Sequence, residues 1–276
     1  MSLPWKTNTP RCVFITGGGS GIGREMARRL AAEGASVAIF NRRLAPDVVN
    51  EMQAVAPHPS QRLCSYAADV TDAAALTAAV ERAVAELGPP DLAINSAGIQ
   101  IAKPFELLGA DEFDRVVAVN LGGSRNFAAA LWPHLRPDDH LVFVASLAAM
   151  VGNFSYAAYC ASKFGVRGLV ESLRIELALR GVAVSICCPG EVETPMVEGE
   201  RIGQHPVSKA LKGLAGCRTV EVSVDRLLRG IARRRFEITD GPLPWLTATS
   251  ARHLPGLGRA FIDRVAARAM ARASAK

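Results

Sequence analysis

Short apolar runs alternate with segments of helical period through most of this chain. The run Cys12-Val13-Phe14-Ile15-Thr16 breaks at a cluster of glycines, and Ile22, Met26 and Leu30 follow four residues apart, on one face of a helix. The same signals recur and predict further strands at 36–41, 63–67, 91–95, 141–145, 182–188 and 236–239. Helical stretches lie between them. One is Ala-rich, starts behind the candidate cap Thr71-Asp72 and ends near Leu87; another spans 110–135 with Asp111 and Glu112 in its first turn, at the positive end of the helix dipole. A third covers 223–235. Strands that are apolar from end to end, separated by helices, predict an α/β fold in which helices cover both faces of a parallel sheet of about seven strands.

Two segments depart from the alternation. Between 197 and 218 the chain carries Gly199, Gly203, Pro206, Gly213 and Gly216, an irregular stretch that reads as a mobile lid around 195–218 near the sheet's ligand edge. Beyond Gly241, an apolar stretch containing Trp245 leads into an Arg-rich one with Leu257, Phe261 and Val265 at helical spacing. This amphipathic basic tail, 242–276, suits packing on the domain or a partner subunit, or peripheral contact with an anionic membrane surface. With no internal repeat and no earlier shift in composition, 1–241 reads as one domain.

At 276 residues, 49% apolar and 6% aromatic, the chain can build one large core of sheet covered by Ala- and Leu-rich helices. Its net charge of +6 comes without a nucleic-acid motif or an aromatic-basic platform, so nucleic acid is not an expected partner. The N-terminus lacks the pattern of a signal peptide, and no window approaches the ~20 apolar residues of a spanning helix. The expected location is cytoplasmic, with membrane association through the tail as the one addition. Cys12, Cys64, Cys160, Cys187, Cys188 and Cys217 fit neither C-x-x-C nor zinc spacing. No metal site is expected, and the thiols read as small buried hydrophobes, Cys187-Cys188 in a core strand rather than a vicinal disulfide.

Candidate chemistry gathers at the ends of the predicted strands. Thr16-Gly17-Gly18-Gly19-Ser20-Gly21-Ile22-Gly23 joins the first strand to a helix, the unit that sets a pyrophosphate against free N–H groups at a helix N-terminus. Gly17, Gly21 and Gly23 avoid the β-carbons that would block the turn, the ligand's approach or helix-on-strand packing. The second strand ends in Asn41-Arg42-Arg43, where a carboxylate would accept from an adenosine ribose. The missing acid and the added charge favour NADP(H), with NAD(H) as the alternative and Arg42 as the phosphate contact. Ser146 follows the fifth strand, at the carboxyl edge where open α/β sheets bind ligands. Tyr159 and Lys163 are four apart, so on a helix they leave one face. A phenol of ordinary pKa ~10 is a poor acid-base group at neutral pH. A fixed ammonium would favour the phenolate, and lowering the pKa by about three units takes roughly 4 kcal/mol. Tyr156 has no lysine four residues on and reads as packing.

Thr-Gly-x-x-x-Gly-x-Gly from Thr16, Asn95-Ser96-Ala97-Gly98, Asn120, Ser146, Tyr159-x-x-x-Lys163 and Pro189-Gly190 follow one another in this order. Carrying them so, the chain resembles the classical short-chain dehydrogenase/reductase family over 11–241. The resemblance implies a Rossmann-type, doubly wound parallel sheet and an NAD(P)-dependent oxidoreductase acting on CH–OH/C=O. It puts Thr16, Gly17, Gly19, Ser20, Gly21, Ile22 and Gly23 on the dinucleotide, and Asn41, Arg42 and Arg43 at its adenosine end. Asp69 and Val70 then meet the adenine, Asn95, Ala97 and Gly98 lie alongside, and Pro189, Gly190, Val192 and Thr194 border the nicotinamide. Asp69 reads equally as a cap for the helix that follows, and Ser96 stands where the family commonly has Asn. By the same resemblance Ser146 would hydrogen-bond the reacting oxygen and Tyr159 would exchange its proton. Lys163 would hold the nicotinamide ribose and lower the phenol pKa, and Asn120 would anchor a water linking Lys163 to solvent. A homodimer or homotetramer is expected, through the helices that begin near Ala110 and Tyr156.

Met150, Phe154 and Met196, with the uncharged loop 147–154 and the lid, predict a pocket for a small hydrophobic ketone or alcohol. The stretch 189–197, the neighbourhood of 233–236 and the tail resemble reductases of ketosphinganine, so a long-chain 3-keto compound is one substrate class. Ketoacyl groups on acyl-carrier protein and hydroxysteroids, the latter with NAD, are others. A reading from a different class is a regulator that binds NADP(H) without turnover; the intact set Asn120, Ser146, Tyr159 and Lys163 argues against it.

Overall fold

Seven strands join in one parallel sheet: β1 (Cys12–Thr16), β2 (Ser36–Asn41), β3 (Leu63–Ala67), β4 (Leu92–Asn95), β5 (His140–Val144), β6 (Ala183–Cys187) and β9 (Glu237–Ile238). A computed structural model describes residues 3–5, 9–197, 204–214 and 216–274. Gly199 and Gly203 of the anticipated lid lie outside the described residues. The strand order is β3-β2-β1-β4-β5-β6-β9. The winding therefore reverses between β1 and β4, and their carboxyl ends open a crevice at that switch point.

Both faces of the sheet are covered, which is why its central strands are largely apolar; all five residues of β1 are buried. On one face Val13, Ile15 and Ile39 meet α1 (Gly21–Ala32), α2 (Pro46–Val55) and α8 (Val220–Ala232) through Met26, Leu30, Met52 and Leu227. On the other, Phe14, Phe40 and Phe143 meet α3 (Ala73–Leu87), α5 (Gly123–Leu131) and α6 (Ala157–Ala178) through Leu76, Phe127 and Val166. The doubly wound α/β fold anticipated from the alternation is the fold observed.

Three segments differ from the sequence reading. The helix expected over 110–135 is α4 (Ala110–Val117), a π-helical turn at Ala118–Gly122 that carries Asn120, then α5 and a short 3₁₀ turn at Trp132–His134. The lid is less irregular than its glycines suggested. It contains α7 (Pro206–Gly213), with Pro206 in the first turn and the His205 ring accepting from Val207 N at 3.3 Å, and β8 (Cys217–Arg218), which pairs with β7 (Glu191–Val192). The tail forms α9 (Pro242–His253) and α10 (Pro255–Ser274), and α10 packs on α7. Of the six thiols, all free, Cys217 is exposed and Cys64 half-buried, because β8 and β3 lie at sheet edges; the other four are buried as expected.

A buried histidine gives the core a pH dependence. His140 Nε2 lies 2.7 Å from Ser185 Oγ, which donates to the Arg235 carbonyl at 2.6 Å, so the ring nitrogen is the donor. Burial, seconded by the Arg234 charge, pushes its pKa down to about 3. The unfolded chain binds this proton below its ordinary pKa of about 6.5 while the folded chain refuses it until about 3. The stabilisation is therefore complete above about pH 6.5 and is lost as pH falls towards 3, at about 1.4 kcal/mol per unit. Urea unfolding of wild type and His140→Asn between pH 4 and 7 checks this: the variant is expected to be less stable at neutral pH and to show a flatter acid limb.

Candidate active site

The glycine turn after β1 admits a ligand because side chains are missing where backbones meet. Gly17 has φ +66°, and a β-carbon on it would stand 2.7 Å from Ala97 N; one on Gly23 would stand 2.3 Å from the Gly17 carbonyl oxygen. Ser20, at the N-cap of α1, makes no side-chain bond to the helix, which leaves first-turn N–H groups for an anion. Gly19 N donates to Asn41 Oδ1 at 2.8 Å, while Asn41 Nδ2 is buried without a partner. A ribose hydroxyl or phosphate oxygen would satisfy that orphaned donor. Arg42 and Arg43 are exposed immediately beyond it. These residues fit a dinucleotide. At the next strand end Asp69 closes its own turn by accepting from Thr71 N at 2.9 Å and Thr71 Oγ1 at 2.8 Å. It does not cap α3; Asp72 does, accepting from Ala75 N at 2.9 Å.

A buried polar chain runs from this turn to α6. Ala97 N donates to Thr16 Oγ1 (3.2 Å), which donates to Asn95 Oδ1 (2.6 Å); Asn95 Nδ2 donates to Ser124 Oγ (2.7 Å), and that hydroxyl to the Asn120 carbonyl (2.5 Å). The Asn120 amide donates to the Ile99 carbonyl and to Ser162 Oγ, each at 2.9 Å, and its Oδ1 accepts from Ile99 N at 2.8 Å. Ser162 Oγ ends the chain on the Tyr159 carbonyl at 2.7 Å. Thr16, Asn95, Asn120, Ser124 and Ser162 are all buried, so every donor in this row is matched where an unmatched one would be costly. Ser124, one helical turn beyond Asn120, and Ser162, beside Lys163, are members that the sequence reading did not single out.

Ser146, Tyr159 and Lys163 come together beside this chain. Ser146 is the N-cap of a 3₁₀ turn after β5, its Oγ accepting from Ala148 N at 3.2 Å, and it shares the wall of one cavity with Tyr159. Lys163 is buried beneath, with Nζ 5.5 Å from the centre of the Tyr159 ring and donating to the Val144 carbonyl at 3.1 Å. The ammonium and the phenol therefore stand together as the four-residue spacing requires. Their acidity differs from the expectation. Burial pushes the Tyr159 phenol up to about 12, against the downward pull of Ser146 and of the Lys212 charge, and burial pushes the Lys163 ammonium down to about 8. Desolvation disfavours both charged forms and is the largest cause of each shift.

Ser146 and Tyr159 open into a cavity of about 670 Å³. Ser146, Tyr159, Pro189, Gly190, Val192 and Thr194 border it, with Met150 and Met196 among its apolar walls. Phe154 is not in the lining; its ring packs on His205, 4.3 Å between centres, at the start of α7. Several residues that sequence reasoning passed over do border it. Tyr156, read as packing, is buried on the cavity wall 6.3 Å from the Tyr159 ring, and its hydroxyl accepts from Lys212 Nζ at 3.2 Å. Lys212 also pairs with Glu191 at 3.2 Å, each side chain 14% exposed, which ties α7 to the loop after β6. Asp240, fully buried, holds the same loop by accepting from Gly190 N at 3.0 Å and from Ser223 Oγ at 2.9 Å. No spacing rule links Lys212 to Glu191 or Asp240 to Gly190; only an acid directly behind the last strand hinted at the second.

Comparison with known proteins agrees with this geometry. The family model described as short chain dehydrogenase matches residues 11–204, and the chain belongs to that family, whose members bind NAD or NADP. It is 40% identical over 188 residues to "Probable oxidoreductase EphD" of Mycobacterium tuberculosis; the match covers 67% of this chain but spans only 31% of that relative's length. It is 31% identical over 234 residues to 3-dehydrosphinganine reductase TSC10B of Arabidopsis thaliana, covering 83% of this chain and 69% of the relative. Among solved structures, levodione reductase superposes with a TM-score of 0.72 at 27% identity, over 83% of this chain and 94% of that one.

Proposed function

We propose that the chain reduces the carbonyl of an apolar substrate, or oxidises the corresponding secondary alcohol, with NADP(H) as hydride carrier. The observation that carries this reading is the pair of hydroxyl side chains, Ser146 and Tyr159, together on the border of a large apolar-walled cavity. When bound, the nicotinamide supplies or accepts the hydride; the protein supplies position and field. Ser146 orients the substrate oxygen and stabilises the charge that grows on it. Tyr159 gives its proton to that oxygen in reduction and takes it back in oxidation. Lys163 holds the ribose, and the positive charge of an oxidised nicotinamide adds to its own in favouring the phenolate against burial. Asn120 fixes the α6 end of the polar chain, and a water on it would resupply the proton. Gly98 supports that arrangement: a β-carbon there would lie 3.2 Å from Asn120 Oδ1 and 3.6 Å from Lys163 Nζ.

The cavity volume and the TSC10B relative support a long-chain 3-keto compound as substrate. Homo-oligomer formation is part of the proposal, and the exposed Ile175 on α6 and Leu179 at its C-cap offer it an apolar surface. The cofactor preference rests on Asn41, Arg42 and Arg43. Titrating both reduced cofactors by fluorescence tests it: NADPH is expected to bind more tightly than NADH, and Arg42→Ala to weaken NADPH about tenfold while leaving NADH unchanged. Equal affinities in wild type would remove the preference. The reading as a whole is tested by NADPH consumption with a panel of long-chain ketones.

A further inference from the structure

The geometry points to α9 and α10 as a docking face for an anionic phospholipid bilayer, set around the mouth of the cavity. The cavity's role as a substrate site rests on the proposed function; the docking face does not. Leu243, Leu246 and Phe261 line the cavity and are also 48%, 57% and 56% exposed, so part of its apolar wall continues onto the outer surface. Trp245 at 59% and Leu257 at 70% extend the same apolar rim. A patch of this kind in a water-soluble chain marks an interaction site. Tryptophan and leucine side by side suit the boundary between headgroups and acyl chains.

Charge selects the occupant. Residues 242–276 hold six basic residues and one acidic, which leaves +5 of the chain's +6 in the tail. On α10 the positions Leu257, Phe261, Arg264, Arg268 and Arg272 recur at steps of four, three, four and four, so they share one face, apolar at the cavity mouth and cationic beyond it. All five are exposed, while Ile262, Val265 and Ala269 lie on the partly covered side. Two copies of a face carrying this charge repel each other, whereas phosphate headgroups attract it at a worth of about fivefold in affinity per arginine. Among the described residues no helix is long and apolar enough to cross a membrane, so the contact is one of surface docking. An apolar substrate would then reach the cavity from the lipid side.

Vesicle sedimentation of the full chain tests this without any turnover. Phosphatidylcholine vesicles doped with phosphatidylglycerol are expected to carry at least about tenfold more protein than phosphatidylcholine alone, and the difference should fall as salt is raised. Arg264→Glu with Arg268→Glu, both at exposed positions, should abolish the preference while circular dichroism stays unchanged. Trp245 should report the geometry: its emission shifts to the blue on vesicles, and the shift disappears in Trp245→Phe. Equal binding to both vesicles, or to neither, overturns the proposal. So does light scattering that shows tail variants dissociating an oligomer while vesicle binding is absent, which would make the face a contact between copies of this chain. Because no arm depends on catalysis, an absence of ketone reduction would count against the proposed function alone.

Discussion

Tyr159→Phe is expected to lower turnover about a thousandfold while leaving NADPH affinity within about threefold of wild type. The substitution removes one oxygen and keeps the ring, whose packing against Tyr156 at 6.3 Å has no need of the hydroxyl. What is lost is a hydroxyl on the cavity border that Ser146 shares, carried by the ring whose centre lies 5.5 Å from the Lys163 ammonium. Its high pKa in the chain alone sharpens the prediction. With the phenol at about 12, the protonated form dominates at neutral pH, as reduction requires of a proton donor. Alcohol oxidation requires the phenolate, so its rate should rise with pH until the group titrates, and the oxidised nicotinamide moves that limb downward. Steady-state rates in both directions across pH check the assignment; equal turnover by wild type and variant removes Tyr159 from the mechanism.

Gly23→Ala is expected to weaken NADPH binding more than about a hundredfold and to lower the melting temperature by several degrees. The added carbon would meet the carbonyl oxygen of Gly17 at 2.3 Å and its carbonyl carbon at 2.9 Å, both backbone atoms of the turn. No rotamer relieves that contact, so α1 must move off the end of β1, a change that costs about 1–3 kcal/mol in overpacked sites. The same movement takes the first-turn N–H groups of α1 away from the position a pyrophosphate would occupy. Gly168→Ala on α6 is the matched control. Nothing lies within 4 Å of a β-carbon there, so the change should stabilise the protein by about 0.5–1 kcal/mol through helix propensity. Calorimetric melting and cofactor titration of the two variants distinguish a local clash from a general intolerance of glycine replacement.

The parts of the fold that were legible in the sequence are those fixed by short-range physics. A strand buried on both faces has to be apolar from end to end, so β1, β2 and β5 announced themselves, and the glycine turn after β1 named its own steric need. The Tyr159 and Lys163 spacing likewise followed from helical period alone. What could not be read came from encounters between distant segments. Lys212 reaches Glu191 and Tyr156 only because α7 folds back over the cavity, and Asp240 meets Gly190 only because β9 lies beside β6. Phe154 was expected in the pocket from composition, yet an aromatic ring fits equally well against His205. The phenol's acidity was misjudged for a related reason. Spacing gives the attraction between two charges, while burial, which opposes both, depends on everything packed around them.

Hydride and proton are expected to meet a carbonyl above Tyr159. Incubating the protein with NADPH deuterated on the transferring face and a long-chain ketone mixture, then weighing the products by mass spectrometry, tests it most directly. The expected product is a secondary alcohol carrying one deuterium on the former carbonyl carbon, formed by wild type and absent with Tyr159→Phe. Saturable NADPH binding with no deuterium in any product would contradict it and leave the chain a dinucleotide-binding regulator.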